Sequence, residues 1–514
     1  MKYLILLFIL IPTILFAQKY DKNWVMGAVT TTYPAPNYEM IVMQHQEDGS
    51  HSFDTIPRVP KYRLTDCSAS YSDKEGILKY YSNGKAIYNI NGEVMENGDS
   101  INFGYKWTTS SQSYIASNSM VPLPDITYPD SISLLVHAIV DTGNIHAGLG
   151  LYISKLLYSR IDLTKNNGLG DVLEKNILIS NGCFEYFAMT RHGNGRDWWI
   201  ASPKTHQNIL QSYLITSNGV LDSNIQIIGP PLFDTINNLS NAYGFLAFSQ
   251  DGRYLARQNT HVALWLYEFD RCTGKFLNMR SVPFDPVGKP GDGLVTDMEF
   301  SPSGQYLYIL NSGANIMYQV DIWKDTLVMV PMDPEIKIKE KCQYGRRVAQ
   351  LGPDGKIYIS PGGSSLCMHI IHNPDLPYPD CNFVLGDIDL PVYNHGSLVH
   401  YPNYRLGPLE GSPCDTLGSM SSTFDPEINH QTFRIYPNPA ISVLRLELDA
   451  YLNHTQEIKI RVMHPTGQLV YSGTLPPYAY MHDIAVHEWS SGLYLVQLLR
   501  SDGQELGVEK LIVE

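Results

Sequence analysis

An eight-residue pattern written three times limits this chain to very few folds. Phe248-Ser249-Gln250-Asp251-Gly252-Arg253-Tyr254-Leu255 returns as Phe300-Ser301-Pro302-Ser303-Gly304-Gln305-Tyr306-Leu307, and again, altered, as Leu351-Gly352-Pro353-Asp354-Gly355-Lys356-Ile357-Tyr358. Each copy is an apolar residue, a turn ending at Gly252, Gly304 or Gly355, and an alternating aromatic and aliphatic run. Glycine takes positive φ without a Cβ clash, and the residues after it alternate between the faces of a strand, so each copy reads as a hairpin. A further strand follows each one: Val262–Phe269, Ile316–Ile322 and Cys367–His372. Short strands recurring every ~50 residues predict propeller blades, not a helical solenoid.

Weaker copies lie upstream. Ser68–Tyr81 turns at Gly76 and is followed by Asn-Gly turns at Asn83-Gly84 and Asn91-Gly92, the strongest short hairpin signal. A unit from Ser113 to Leu163 holds the strands Leu134–Val140 and Gly150–Ser154. Another turns at His192-Gly193-Asn194-Gly195 before Trp198–Ala201 and Gln211–Ile215. These make six units, and strands between Asp21 and Pro60 together with Ser397–Tyr401 would complete a seventh. A closed ring leaves no sheet edge exposed to aggregation. The expected fold is all-β: a β-propeller of about seven four-stranded blades over 18–411, with six or eight as alternatives.

Abundant Tyr and Gly with only 17% charged residues suits many short strands and argues against disorder. The net charge of −14 is spread without runs, and no concentrated basic face exists to hold phosphates, so nucleic acid is not an expected partner. Lys2, the apolar stretch Tyr3–Phe16 and the small Ala17 before Gln18 read as a signal peptide over 1–17, cleaved between Ala17 and Gln18. No later stretch is apolar enough to cross a bilayer as a helix. All seven cysteines follow that point. An exported chain permits disulfides, and the odd count leaves at least one thiol over. One pair is expected, its partners unassigned. No Cys-x-x-Cys spacing suggests zinc or redox chemistry.

Residues 412–432 are poor in apolar side chains and read as a linker. Beyond it, Val443–Leu448, Ile458–Met463, Leu469–Tyr471, Ser491–Leu498 and Lys510–Val513 alternate cleanly. Short strands with Gly turns in about 80 residues predict a small Ig-like β-sandwich over 433–514.

This last segment resembles the type A C-terminal sorting domain of the type IX secretion system. The resemblance rests on Tyr436-Pro437-Asn438-Pro439, the hairpin at Gly467-Gln468-Leu469-Val470, Ser491-Gly492-Leu493-Tyr494 and the terminal Lys510–Glu514. It implies passage across the inner membrane by the signal peptide and across the outer membrane through the secretion machinery, as a secreted or surface-attached product. Cys67–Gly418 in turn resembles the WD40-like propeller that often precedes such domains, at Gly168-Leu169-Gly170-Asp171-Val172, Pro402–Pro408 and the three repeats. That resemblance implies a ring and supplies no catalytic residues. Ser303, where the pattern has Asp, is the one departure.

No catalytic residue is legible in the sequence. There is no Gly-x-Ser-x-Gly elbow, phosphate-cradling Gly loop, His-Glu-x-x-His helix or EF-hand loop. His369 and His372 would share a face only on a helix; on a strand they point apart. His395 and His400 read as ordinary histidines. Asp292, Asp297 and Glu299 fit no calcium loop. Arg346-Arg347 brace a loop or line the channel. The densest stretch is Arg191-His192-Gly193-Asn194-Gly195-Arg196-Asp197-Trp198-Trp199. Arg191, His192, Arg196 and Trp198 would grip a carbohydrate or an anion if exposed; the plainer expectation is that the Trp pair packs between blades. No cofactor or metal is expected. Two readings follow: a binding or scaffold module for an extracellular protein or glycan, or an enzyme of lactonase or glycan-lyase type with its site at the channel. Carboxylates and histidines converging in the channel at metal-ligand spacing would favour the enzyme.

Overall fold

The computed structural model describes residues 18–513 except 28–38, 57–63, 65–66, 110–113, 115–117, 143–150, 206, 218, 230–243, 260–262, 283–294, 312–315, 325, 331–341, 343–347, 362, 416–432, 449–456, 467, 477–480 and 501–504. The signal peptide, Ala17, Asp292, Arg346, Arg347 and Gly467 therefore lie outside the described residues. The chain divides into two compact units at Ser421 and Ser422.

The first unit is a β-propeller. Its described strands form seven antiparallel sheets in chain order. Blade 1 is Asn23–Gly27, Met40–His45 and His51–Thr55; blade 2 is Ala69–Ser72, Leu78–Ser82 and Ile87–Asn89. Blades 3 to 7 have four strands each, beginning at Met120, Ala188, Gly244, Val295 and Val348. The outermost strand of blade 3, Asp171–Phe184, carries bulges and little apolar alternation, which is why the sequence did not announce it.

A cyclic series of apolar seams closes the ring. Val25 and Val42 of blade 1 meet Tyr81 and Tyr88 of blade 2. One continuous core then joins blades 2, 3 and 4 from Tyr71 through Leu135 to Trp198. Trp199 meets Trp265, Phe245 meets Phe300, and Tyr308 meets Ile357 across the next three seams. The last seam returns to the start, packing Trp24 and Met43 of blade 1 on Val348 and Ile370 of blade 7. Aromatic and branched side chains fill such seams because both faces of every blade are covered.

Closure uses both ends of the ring segment. Residues 397–401 pack into the seam of blades 7 and 1 through the buried Leu398 and Val399: the Tyr401 N–H donates to Gln350 of blade 7, and its hydroxyl donates to the Ser70 carbonyl of blade 2. Asn394 and Ser397 tie the approach, with the Gly27 N–H donating to Asn394 Oδ1. The strand expected over Ser397–Tyr401 is not formed; the segment closes the ring through side-chain packing and single hydrogen bonds instead. The turn glycines Gly76, Gly195, Gly252, Gly304 and Gly355 hold φ between +70° and +85°, the region that a Cβ disfavours.

The second unit is a β-sandwich. Phe433–Tyr436, Val443–Leu448 and Met481–Ala485 make one sheet; Leu469–Leu475, Ile458–Met463, Gly492–Arg500 and Glu505–Val513 make the other. Leu444, Leu446, Ile460, Val462, Val496 and Leu498 meet between them. Two disulfides, Cys272–Cys414 and Cys342–Cys367, are present in the first unit, and Cys67, Cys183 and Cys381 are free thiols.

Candidate functional site

The first strands of blades 3 to 7 line a polar cavity of about 80 Å³ in the channel. Asp297 and Glu299 alternate on the strand Val295–Phe300, so both carboxyls turn to the same side. The Ala349 N–H donates to Asp297 Oδ2 at 2.9 Å and Asn118 donates to Oδ1 at 2.9 Å. Burial nevertheless raises the Asp297 carboxyl to about 7. Burial, with the Asp297 charge second, raises Glu299 to about 8. His400 Nε2 lies 4.0 Å from Asp297 and makes no hydrogen bond; burial lowers its pKa to about 3, so it is neutral. Two carboxyls and an imidazole therefore meet here. Their ligating atoms do not gather around one point as a shared metal needs; among the described residues only those of Cys342, Cys367 and His369 do. Those two sulfurs are joined in a disulfide, which removes the thiolates that metal binding requires.

A strap, residues 402–414, leaves the seam of blades 7 and 1 and crosses the turn face of the ring. Asn403 donates to the Gln250 carbonyl and Tyr404 to that of Pro122. Arg405 makes a two-pronged ion pair with Asp21 at 2.7 and 2.8 Å. Arg271 donates to the Gly407 carbonyl, the Leu409 N–H to that of Gly193, and Cys414 is bonded to Cys272. Residues 412–414, expected to begin the linker, are held to blade 5 by that bond.

The Arg191–Trp199 stretch lies beneath this strap. Arg191 is buried, its guanidinium 4.4 Å from the centre of the Trp198 ring and donating to the Gly195 carbonyl. His192 is buried and bonded to the Cys272 carbonyl, and Trp198 is 1% exposed. Arg196 alone is exposed, paired with Asp197. The tight turn is needed because the strap packs directly on it: a Cβ at Gly195 would fall 2.6 Å from the Pro408 backbone. Of these side chains Trp198 touches the strap, edge-on to the Tyr404 ring, while Arg191 and His192 brace the turn on which the strap packs. His369 is buried and accepts the Gly386 N–H, whereas His372 pairs with Asp387 at 3.0 Å. His395 faces Ser364.

A second concavity, of about 360 Å³, runs beside the outer strand of blade 1, lined by Glu39, Ile41, His51, Ser52, Phe53, Thr55, Pro391 and Val392. No single motif signals it, since its residues come from blades 1 and 7.

In the second unit the motif residues have a structural logic. Asn438 brackets the last strand, donating to the Lys510 carbonyl at 2.7 Å and accepting the Ile512 N–H at 2.9 Å. Pro437 and Pro439 flank it, exposed. Tyr436 ends the first strand of the sandwich. Tyr494 is buried, packs on Trp489 and donates to the Ser490 carbonyl. Gly492 is extended and begins the strand that pairs through Leu495 with Lys510.

Residues 434–514 match the secretion system C-terminal sorting domain family. No curated protein matches the sequence. Among solved structures, the periplasmic gluconolactonase of Pseudomonas aeruginosa is similar at 13% identity and a TM-score of 0.40, over 73% of this chain and 98% of that one. A putative 6-phosphogluconolactonase from Bacteroides uniformis has 12% identity and a TM-score of 0.35, over 90% and 100%. The Swd1 propeller domain of Myceliophteria thermophila has 10% identity and a TM-score of 0.36, over 63% and 88%. The chain is a β-propeller carrying at residues 434–514 a secretion system C-terminal sorting domain, which engages the type IX secretion machinery and directs export to the cell surface or extracellular space.

Proposed function

We propose that the exported ring is a binding module for an extracellular protein or glycan. The observation that carries this reading is one of size. The channel cavity of about 80 Å³ has room for a few waters, while the groove between the outer strands of blades 7 and 1, about 360 Å³, reaches the range of ligand sites. Its lining of Phe53, Ile41 and Val392 beside Glu39, His51 and Thr55 pairs apolar surface with a few polar groups, as recognition sites do. Glycan arrays and pull-downs with the purified full chain test it, comparing wild type with Thr55→Trp, which fills the groove from an exposed position. Captured partners should fall away in the variant. Equal capture by both would remove the groove from the proposal.

The second reading is a channel enzyme of lactonase or lyase type using Asp297, Glu299 and His400. It is favoured by one observation, that two carboxyls whose pKa values burial raises to about 7 and 8 meet an imidazole. Lactone or glycan turnover abolished by Asp297→Asn would establish it over binding. Deleting 433–514 separates either activity from export: the shortened chain should stay in the periplasm.

A further inference from the structure

We propose that residues 397–414 are a latch that closes the propeller, and that Cys272–Cys414 is its lock, set only once the chain has left the reducing cytoplasm. Three observations carry this. First, residues 397–401 complete the closing seam, where Leu398 and Val399 join the core shared by blades 7 and 1 and Tyr401 ties blade 7 to blade 2, so that seam is incomplete until this late segment docks. Second, beyond Tyr404, which is buried against Tyr20 and Trp198, the strap is held across the turn face mostly by polar contacts to blades 4 and 5 and to Asp21. Such contacts exchange readily with water, and segments of this kind open locally. Third, the covalent bond sits at the strap's far end and spans 142 residues, against 25 for Cys342–Cys367. A cross-link of long span removes more freedom from the open state.

The surroundings of the lock are shaped to its sulfurs. Gly193 presses against both: a Cβ there would fall 2.4 Å from Cys414 Sγ and 2.9 Å from Cys272 Sγ. The Gly193 N–H donates to the Arg271 carbonyl and its own carbonyl accepts from Leu409, so the turn cannot retreat without losing both bonds. Setting the lock is thiol–disulfide exchange. The thiolate of one cysteine attacks an oxidant disulfide, displacing one of its sulfurs as a thiolate; the second cysteine then attacks the mixed disulfide and releases the other. Two cysteine thiols lose two electrons and two protons, and the oxidant disulfide becomes two thiols. Glutathione disulfide serves as that oxidant in vitro.

Limited trypsinolysis at the Arg405–Leu406 bond of the strap reads the latch in the full chain. Oxidised wild type should resist cleavage there. Reduction, or Cys272→Ser with Cys414→Ser, should speed that cut on the order of tenfold or more, whereas Cys342→Ser with Cys367→Ser should leave it unchanged. Gly193→Ala keeps both cysteines but denies them room, and should behave as the reduced protein even with glutathione disulfide present. Equal rates in oxidised and reduced protein overturn the proposal. So does cleavage spread over the whole ring on reduction, since the strap would then not open as a separate element.

Discussion

Two buried polar clusters in the same ring treat charge in opposite ways. At the seam of blades 4 and 5, Arg257 and Glu185 are 0% and 2% exposed at their side chains and meet in a two-pronged pair, 2.6 and 2.9 Å, with Gln207 accepting a further bond. In the channel, Asp297 and Glu299 are almost as deeply buried, yet no Lys or Arg among the described residues pairs with either. The seam compensates its charges in place; the channel suppresses them, by raising the carboxyls and lowering His400. A seam must transmit packing between blades and tolerates no unmatched ion. A channel holds polar space and can.

The contrast breaks most visibly at Arg257. Arg257→Met leaves Glu185 buried without a partner and should destabilise the ring by about 3–5 kcal/mol, while the double change with Glu185→Met should recover most of that loss. Calorimetric transitions of the full chain check it. A single and a double variant of equal stability would mean the pair does not act as a unit.

The channel predicts a pH dependence of definite sign. Asp297 and Glu299 have folded pKa values near 7 and 8, above their ordinary ones. Their contribution is therefore fully present below about pH 4 and lost as the pH rises through 7 and 8. His400, like His45 and His137, is lowered to about 3, so its contribution is present above about pH 6.5 and lost as the pH falls through 3. Between pH 5 and 9 the carboxyls should cost the wild type about 6–7 kcal/mol relative to a chain carrying Asp297→Asn and Glu299→Gln. Parallel stability curves for the two proteins would show that the channel carboxyls titrate normally.

Crowding distinguishes sites that share one conformation. Gly252 and Gly355 both hold positive φ, at +70° and +79°. A Cβ at Gly252 would strike Thr190 Oγ1 at 2.5 Å and Arg271 at 2.9 Å, whereas at Gly355 it meets nothing closer than Pro302 at 3.9 Å. Ala at 355 should cost the φ strain alone, about 1 kcal/mol, and Ala at 252 about 1–2 kcal/mol more. Equal costs would mean that the blade 4 and blade 5 turns have room to separate.

These glycines also mark what was legible in the sequence. Local chemistry was written plainly: turn glycines, alternation, Asn-Gly hairpins and the Tyr436–Pro439 entry all report the conformation of the few residues that contain them. Blade 1 was readable in outline from its N-terminal strands, but Ser397–Tyr401, which looked like a strand, packs into the seam without forming one. The strap was not. Residues 402–414 are irregular, bonded through Asn403, Arg405 and backbone groups to partners 136 to 384 positions away, and periodicity carries no information about such pairings. The Arg191–Trp198 cluster showed the same limit, since its composition suits ligand binding and strap anchoring equally. Asp297 and Glu299 stood out only as acidic residues, because their cavity is assembled from five blades. Bulges hid the outer strand of blade 3.

The finest division between satisfied and unsatisfied groups lies in two histidines. His137 is 0% exposed and spends both ring nitrogens, 2.7 Å from Asn102 Oδ1 and 2.8 Å from Ser159 Oγ. His400 Nε2 has no partner. Leucine at 137 strands two buried polar groups and should cost about 1–3 kcal/mol. Leucine at 400 strands none and removes a desolvated nitrogen, so its effect at pH 7 should stay within about 0.5 kcal/mol. Thermal unfolding of both variants at that pH decides. A loss at 400 as large as at 137 would mean that the imidazole holds something in the channel, an ordered water or an ion bridging it to Asp297 across the 4.0 Å that separates them.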